Sequence, residues 1–421
     1  MAETDKKNRR ISQRIIGIDL GTTNTIVSYV ENGKIFSIPA ENGQRLIPSI
    51  VAVDKNRKIV VGSQAERQKV ANPSDTFYSI KRLLGRDSKN IDQVELRNLF
   101  FETDLSSEKI GIKSTKLARR IECEEISAYI LMKVKEIADD FFEEDISRCI
   151  ITVPAYFDNS QRKATLTAAK IANLNVIRLI NEPSAAAIAY EFKDKIDHDI
   201  LVADLGGGTF DLSLVSVTDN SFYEVKASSG DTQLGGDDFT RNLYEFLLND
   251  FEKKDLNVDL NPSIVAMIFA ELEKAKKEIS FNEEVTISFP FLIGIDKQLI
   301  NYEINIDLNL FNEINKIHIE KIRDLIGEFL VLEKIRDVEI TDVILVGGAS
   351  RMKCFQNVIR EFVEIAPKSD VNPDEVVSNG AALSGEILDG NSTDKIISDV
   401  TPLSLGCWTV GDIFNVQIPR N

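Results

Sequence analysis

Histidine is nearly absent from this sequence, which has only His198 and His318 among its 421 residues. His198 is predicted in a charged turn and His318 inside a helix, and we interpret both as bystanders. Cysteine is scarce too, and the four present are scattered without the CxxC spacing of a zinc site or the pattern of a disulfide framework. Histidine-based catalysis and histidine metal sites are therefore excluded, so any chemistry must use carboxylates, hydroxyls, lysine and a hard metal ion.

Positive charge and long apolar runs are also in short supply. Lysine and arginine number 50 against 67 aspartates and glutamates, a net charge of −17, whereas a nucleic-acid-binding protein needs clustered cations. No apolar run approaches the length of a membrane span, and the polar first residues, MAETDKKNRRISQR, lack the apolar core of a signal peptide. We therefore expect a cytoplasmic protein that binds neither nucleic acid nor a membrane.

The most informative feature present is an internal repeat of the form apolar strand, aspartate, glycine-rich turn, second apolar strand. Its two copies are RIIGIDLGTTNTIVSYV, from Arg14 to Val30, and DILVADLGGGTFDLSLVSV, from Asp199 to Val217. Each copy places a carboxylate at a strand end, before small residues whose backbone amides can bind an anion. One copy alone is typical of an ordinary hairpin turn, but two matched copies predict a pair of loops that grip the phosphates and metal of a nucleotide.

Three carboxylates are the candidates for organising a hydrated Mg²⁺, because this ion prefers oxygen ligands and keeps several waters. Asp19 and Asp204 are the repeated aspartates, and Glu182 follows a predicted strand in the sequence Asn-Glu-Pro. The carboxyl edge of a strand is a usual ligand position in α/β sheets. An acid in the first turn of a helix is the alternative for Glu182, and the repeat favours the functional interpretation.

Two further features have both a functional and a structural interpretation. Lys81, in a predicted helix, could supply a point charge to a transferred phosphoryl group, although a lone lysine there is more often a solvated residue. The turn Gly347-Gly348-Ala349-Ser350-Arg351 could admit a base or ribose, with the arginine stacked on it. A plain strand-to-helix turn explains the same residues equally well.

Strands and helices alternate along much of the chain and predict an α/β protein of two or three compact units. Examples are strands at Cys149–Val153 and Val176–Ile180 and helices at Asn159–Ala172 and Ser184–Tyr190.

A set of motifs carries a family resemblance: IGIDLGTTNT, FYSIKRLLGR, CIITVPAYFDNSQRKAT, LINEPSAAAIAY, DLGGGTFDLSLV, GDTQLGGDDF, VILVGGASRMK and VNPDEVVSNGAAL, followed by DVTPLSLG. In order and spacing they resemble the ATPase domain of DnaK-type chaperones, the seventy-kilodalton heat-shock proteins. The implied fold is the α/β, actin-like ATPase fold, in which two lobes on ribonuclease-H-like βββαβα cores enclose a nucleotide in the central cleft.

The resemblance also implies a domain organisation. We expect a disordered tail at 1–13, lobe I at 14–198, lobe II at 199–389, an interdomain linker at 390–400 and, at 401–421, the first strands of a truncated substrate-binding domain. A J-domain co-chaperone and a nucleotide exchange factor are the implied partners. Binding of an unfolded client or an iron–sulfur scaffold protein is not expected of so short a remnant.

The resemblance assigns roles to individual residues, with ATP or ADP, Mg²⁺ and K⁺ as cofactors. Lys81, Glu182, Asp204 and Thr209 would serve catalysis, and Asp19, Glu182, Asp204 and Asp211 would serve the metal ions, with Asp211 at the monovalent cation. The implied phosphate loops are Gly21, Thr22, Thr23 and Asn24, and Gly206, Gly207 and Gly208. The implied adenosine contacts are Glu273, Lys276, Lys277, Ser280, Gly347, Gly348, Ser350, Arg351 and Asp374. Pro154 and Arg162 match the family's relay between nucleotide state and the peptide-binding domain.

Some residues depart from the family pattern. Lys277 stands where an arginine usually stacks on adenine, and because an ammonium lacks a planar face we expect nucleotide to be held less tightly. In the linker, Lys395 and Ser398 interrupt an apolar run, which predicts weakened docking of the linker.

Other functions were weighed against the chaperone ATPase. The segment before LEKAKKEIS and the ending QIPRN are also similar to HscA-type chaperones of iron–sulfur assembly. A metabolite kinase of the same superfold would need a sugar-binding loop, which we do not find in the first lobe. An actin-like filament protein would need apolar lobe-to-lobe contact surfaces.

Overall fold

The computed structural model describes most of the chain. The described residues are 9–40, 43–91, 96, 99–190, 197–219, 221–295, 297–368, 372–390, 396–401, 403–409, 411 and 413–421. Most of the expected tail, residues 1–8, and part of the expected linker, residues 391–395, lie outside them. We call residues 9–190 the first half and residues 197–390 the second half.

The first half is built on a six-stranded sheet with two smaller sheets beside it. The large sheet has the order β12-β11-β1-β2-β3, with β4 paired to β2, and the small sheets have the orders β6-β5-β7 and β10-β9-β8. The strands are β1 Ile15–Leu20, β2 Asn24–Glu31, β3 Lys34–Ser37, β4 Ile47–Pro48, β5 Val51–Val53, β6 Ile59–Val61, β7 Thr76–Phe77, β8 Glu102–Asp104, β9 Gly111–Ser114, β10 Arg119–Glu122, β11 Arg148–Val153 and β12 Asn175–Asn181. The helices are α1 Ser63–Glu66, α2 Cys123–Phe142, α3 Asn159–Ile171 and α4 Glu182–Ala189.

The second half is built on a five-stranded sheet of the order β18-β13-β14-β15-β19, with a separate hairpin of β16 and β17. Its strands are β13 His198–Leu205, β14 Phe210–Thr218, β15 Phe222–Asp231, β16 Glu284–Ile293, β17 Leu299–Asp307 and β18 Asp342–Val346. Its helices are α5 Gly236–Lys253, α6 Pro262–Ile279, α7 Leu308–Ile314, α8 Lys316–Leu330, α9 Lys353–Phe362 and α10 Val376–Leu388. Beyond it lie β19 Ile396–Ser398, β20 Leu405–Thr409 and β21 Ile413–Ile418.

The two large sheets share a topology around the repeat. In each, the strand that ends near the aspartate pairs antiparallel with the next strand and parallel with a later one, β11 beside β1 and β18 beside β13. The repeat seen in the sequence is therefore a structural repeat, and both aspartates lie at the same end of their strands.

Two helices pack between the sheets and hold the halves together. A β-carbon at Gly380 of α10 would collide with the Ala185 carbonyl of α4, and one at Gly17 of β1 would collide with the Ala382 amide of α10. Glycine at these positions lets the backbones touch, so α10 of the second half rests directly on the first sheet.

The helices and strands predicted from periodicity are present, with shifted ends. Lys81 lies in a single 3₁₀ turn, Ile80–Arg82, rather than in the predicted helix, because Ser79 before it has a left-handed backbone with φ of 53°. The last helix of the second half begins at Val376, and the Pro373 carbonyl before it accepts a hydrogen bond from Gly347 N at 3.1 Å.

The linker docks despite its polar residues. Ile396–Ser398 pairs in parallel with Phe222–Glu224 at the edge of the second sheet, so the contact is formed, and its predicted weakening stays a prediction. The segment that follows folds as the β20–β21 hairpin.

Near the chain start, Ser12 N donates to the Asp145 carbonyl.

In the part of the chain that the structure describes, no helix has the length and apolar character needed to cross a bilayer.

Candidate active site

The first phosphate-loop candidate is the turn between β1 and β2. Asp19 lies near the end of β1 and accepts a hydrogen bond from Thr152 Oγ1 at 3.2 Å. Its enclosed position, and then the nearby negative charge of Glu182, raise the pKa of Asp19 to about 7, against the opposing effects of Lys81 and Thr152. An acid whose ionised form is disfavoured in this way gains most from a bound cation.

A buried ion pair lies beside this aspartate. Lys81 Nζ donates to Glu182 Oε1 at 2.7 Å, and the two side chains are only 8% and 7% exposed. Burial alone would lower the pKa of Lys81, but the attraction of Glu182 and then of Asp19 holds it above its ordinary value. The lysine is therefore a fixed positive charge at the base of the site.

The second loop candidate joins β13 and β14 and carries two buried carboxylates. Asp204 and Asp211 are cross-strand partners. Burial, and then the charge of Glu182, raise the pKa of Asp211 to about 8 and hold that of Asp204 well above its ordinary value. The Oδ1 atom of Asp211 is buried without a hydrogen-bond partner in the protein, which is rare for a buried acceptor and calls for an explanation.

The two loops fit each other across the boundary between the halves. A β-carbon at Gly207 would collide with Thr23 Oγ1, and one at Gly208 would lie 2.8 Å from Thr22 Cγ2. The threonine side chains of one loop therefore occupy the space that the glycines of the other leave free.

One cleft collects residues of both loops. Among the predicted residues it is lined by Asp19, Gly21, Thr22, Thr23, Asn24, Lys81, Glu182, Asp204, Gly206, Gly207, Thr209, Gly347, Gly348 and Asp374. Its empty volume is about 580 Å³, including the part open to solvent. The structure thus brings together the predicted phosphate, metal and catalytic residues at one cleft. Gly208 and Asp211 are the two that do not line it.

The donor set suits a hydrated hard cation. Among the described residues, no three His, Cys, Asp or Glu side chains lie close enough to form a metal site by themselves. Mg²⁺ usually binds through one or two carboxylates, waters and phosphate oxygens rather than an all-protein cage. Asp19 and Asp204, both with raised pKa values at one cleft, fit that mode of binding.

The predicted adenosine contacts on α6 form their own network beside the cleft. Lys276 is buried, and its Nζ pairs with Glu273 Oε2 at 2.6 Å and donates to the Gly236 carbonyl at 2.7 Å. Although burial alone would raise the pKa of Glu273, Lys276 and Lys277 hold it below its ordinary value. Ser280 donates to the Lys276 carbonyl. Lys277 is 67% exposed, and its Nζ pairs with Glu273 Oε1 at 3.4 Å.

Gly347 and Gly348, which begin the Gly347–Arg351 turn, line the cleft. Gly347 has a φ of 79°, and a β-carbon there would lie 2.8 Å from Asp204 Oδ1. Arg351 Nη1 donates to Asp374 Oδ1 at 3.0 Å, and Ser350 Oγ donates to the Gly347 carbonyl. The arginine is therefore held by Asp374, which lines the cleft.

The two predicted relay residues connect the site to the linker. Pro154 begins the turn after β11, and Arg162 binds that turn through the Ala155 carbonyl at 3.1 Å. Arg162 also donates to Asn181 Oδ1 at 2.7 Å, and Asn181 donates to Asp399 Oδ2 at 2.9 Å. Ser184 donates to the same oxygen, so the linker aspartate is fixed beside Glu182.

Several contributing residues were missed by sequence reasoning. Asp237 accepts from Ser79 Oγ at 2.9 Å, and Asp238 accepts from Arg82 at 2.8 Å, both across the boundary between the halves. The glycine pair before these acids, in LGGDDF, was the available signal. Asn181 and Asp399 gave no local signal, because their contact joins residues far apart in the sequence.

Comparison with known proteins places these features in a family. The family model described as Hsp70 protein matches residues 15–421. The chain is 40% identical to a chaperone protein dnaK of Cyanidium caldarium over 412 residues, 97% of this chain and 66% of that protein. It is 41% identical to the chaperone protein dnaK3 of Thermosynechococcus vestitus over 409 residues, 97% of this chain and 60% of that protein. It is 39% identical to the chloroplastic stromal 70 kDa heat shock-related protein of Pisum sativum over 415 residues, which are 98% of this chain and 58% of that protein. The chain thus spans about three fifths to two thirds of the length of these relatives.

Proposed function

Because this chain belongs to the Hsp70 protein family, we propose that it is the ATP-binding and ATP-hydrolysing module of a DnaK-type chaperone that assists protein folding. The family implies an actin-like ATPase fold and the binding of ATP or ADP with Mg²⁺. The observation that carries the proposal is the convergence of both aspartate-tipped loops and the Lys81–Glu182 pair on one cleft.

The chemistry follows from charge and position. Bound Mg²⁺ would neutralise charge on the phosphate oxygens. Asp19 and Asp204 would hold it through water, and Glu182 would orient the attacking water. Lys81, which keeps its proton on Nζ because Glu182 accepts from it, would stabilise the negative charge that develops on the transferred phosphoryl group. Thr209 and the loop amides would fix the phosphates in line for attack.

Further parts of the proposal concern the fold and the remaining ligands. The two halves would be lobes on ribonuclease-H-like cores, with the shared topology of the sheets as support. Asp211 would be a ligand of a K⁺ ion, and its buried Oδ1, which has no hydrogen-bond partner in the protein, supports this role. Glu273, Lys276, Lys277, Ser280 and the Gly347–Arg351 turn would enclose adenosine.

The partners and the compartment are proposed by family. A J-domain co-chaperone and a nucleotide exchange factor would act on this module, with the docked linker and Arg162 as the route of communication. The composition supports a cytoplasmic location. The relatives named above carry DnaK and plastid heat-shock names, so the comparison does not favour the HscA alternative, the kinase or the filament protein.

The test is ATP hydrolysis by the purified chain, with and without a J-domain protein. We expect slow hydrolysis that the Asp204→Asn variant loses and that Asp324→Asn, at an exposed position of α8, retains. Stimulation by the J-domain protein would support a working linker. Equal hydrolysis by the wild type and Asp204→Asn would refute the assigned site.

A further inference from the structure

Four aromatic rings form a continuous row across the boundary between the halves. Tyr78 and Phe100 belong to the first half, and their ring centroids are 5.6 Å apart. Phe269 of α6 and Tyr244 of α5 belong to the second half, with centroids 4.6 Å apart. The two pairs meet through Phe100 and Phe269, whose centroids are 5.4 Å apart with an interplanar angle of 71°. We call these four residues the aromatic clasp.

The geometry of the central pair is attractive in itself. An edge-to-face arrangement at this distance places the positive edge of one ring on the negative face of the other. Phe100 is also held in place, because its backbone N–H donates to the Tyr78 hydroxyl at 3.3 Å. All four rings are only partly buried, and Tyr78 and Tyr244 pack against the hydrophobic cores of their own halves.

The clasp adjoins the nucleotide cleft. Tyr78, Phe100 and Phe269 line a second, open cavity, whose empty volume is about 1800 Å³ including the part open to solvent, and Thr22, Thr23 and Asn24 of the first loop line both that cavity and the cleft. Separation of the two halves at this boundary would open both spaces together. The contact between the two phenylalanines is lost in any such opening.

The polar contacts at the same boundary are of a different kind. Ser79 Oγ binds Asp237 at 2.9 Å, and Arg82 pairs with Asp238 at 2.8 Å. Lys69 of the first half also lies over the Tyr78 ring, with its Nζ 4.0 Å from the centroid. Ionic contacts weaken as salt is added, whereas an apolar ring contact does not. Measurements at low and high salt therefore separate the ionic from the aromatic contribution to holding the halves together.

We propose that Phe100 and Phe269 are positioning residues of the nucleotide site, which hold the two halves closed and thereby slow the release of bound nucleotide. This inference rests on the proposed function, since it concerns the ligand of that cleft. The rings act on retention and do not touch the reacting phosphate, so the hydrolysis step itself should be unaffected by them.

The test measures release of a fluorescent ADP from the full chain by stopped flow. Phe100→Ala and Phe269→Ala should each release ADP about three- to tenfold faster than the wild type, because an aromatic pair of this kind contributes measurably beyond its buried area. The double variant should be no faster than the quicker single variant, since both changes remove the same contact. The acceleration should persist at high salt, and single-turnover hydrolysis should keep its rate.

Matched variants and a second measurement keep the outcomes distinct. Phe36→Ala in the first half and Phe291→Ala in the second, both at exposed rings, should release ADP at the wild-type rate, and Phe269→Tyr should restore slow release. Wild-type release by the double variant, or fully additive effects of the two changes, would overturn the inference. If the wild type binds no nucleotide at all, the proposed function fails. The clasp is then judged by hydrogen exchange of the nucleotide-free chain, where unchanged exchange in residues 76–84 and 262–273 of Phe100→Ala would overturn it.

Discussion

The two repeated hairpins have the same strand pairing, but they contribute different side chains to the site. In the first, the cross-strand partner of Asp19 is Ile26; in the second, the partner of Asp204 is Asp211. The first loop presents the hydroxyl side chains of Thr22 and Thr23, and the second presents glycines that leave room for them. The first half also supplies Lys81, while the second supplies the α6 network and the Gly347–Arg351 turn.

The difference teaches how a duplicated unit can make one asymmetric site. Two copies with identical loops would collide or leave a void where they face each other, because protein interiors are close-packed. Here the first loop carries threonine side chains, and the second loop has glycines at the positions that face them. The positive charge of Lys81 lies on the side that has fewer buried carboxylates.

The largest effect should follow removal of the cation that only the first half supplies. Lys81→Ala should lower ATP turnover by about 10²- to 10³-fold, a typical loss for one preorganised electrostatic contact. It should also lower the free energy of unfolding by about 3–5 kcal/mol, because Glu182 is left buried without its partner. Turnover assays and denaturant titration measure the two effects.

A double variant separates the catalytic from the structural part of this effect. Adding Glu182→Gln to Lys81→Ala should restore much of the stability but none of the turnover. Lys89→Ala, at an exposed lysine of the same half, should match the wild type in both. An active Lys81→Ala protein would show that the asymmetry of charge has no catalytic meaning.

The second prediction tests the steric fit of the two loops. Gly207→Ala should weaken ADP binding by about 5- to 150-fold, since overpacking of this kind costs about 1–3 kcal/mol. Adding Thr23→Ala should recover part of the loss, because the new β-carbon collides with Thr23 Oγ1. Titration calorimetry measures both. Gly327→Ala, where the nearest neighbouring atom would be 3.5 Å from the new β-carbon, is the control, and absence of rescue would argue against complementarity.

The third prediction uses two carboxylates with raised pKa values, one in each hairpin. The pKa values of Asp19 and Asp211 are raised to about 7 and about 8, so between pH 4 and 8 the folded state binds these protons more tightly than the unfolded state. Their contribution to the free energy of unfolding is therefore fully present below about pH 4 and is lost as the pH rises.

Thermal melting of the nucleotide-free, Mg²⁺-free chain tests this sign. Stability should fall between pH 5 and 8, by a few kcal/mol at most, and Asp211→Asn should flatten the fall. Asp324→Asn should leave the slope unchanged. A stability that rises over this range in the wild type would mean that the buried acids are ionised in the folded state.

The smallest effect concerns the proposed adenosine contacts, all of which lie in the second half. Lys277→Arg should tighten ADP binding about two- to fivefold, because a guanidinium stacks on a flat ring with about 0.5–1 kcal/mol. Lys274→Arg on the same helix is 65% exposed and should bind as the wild type does. Equal affinity in both variants would show that Lys277 does not face the base.

The parts of the site that local sequence encodes were predictable. A strand, an aspartate and a glycine turn are contiguous, so Asp19, Asp204 and both loops could be placed before the fold was known. The complementarity of Gly207 and Thr23 could not, because it depends on how the halves meet. The same holds for the Asn181–Asp399 contact and for the Phe100–Phe269 pair. Lys81 was also chosen from the sequence, but it lies in a single 3₁₀ turn that follows the left-handed backbone of Ser79 and not in the predicted helix.

The most direct test of the central claim is titration calorimetry of ADP into the purified chain, with Mg²⁺ and then with a chelator. The two loops clamping one metal-bound nucleotide predict a single site per chain. Its affinity should fall sharply when Mg²⁺ is removed, and the Asp19→Asn/Asp204→Asn double variant should lose that dependence. Unchanged, Mg²⁺-dependent binding by the double variant, or no binding by the wild type, would contradict the account.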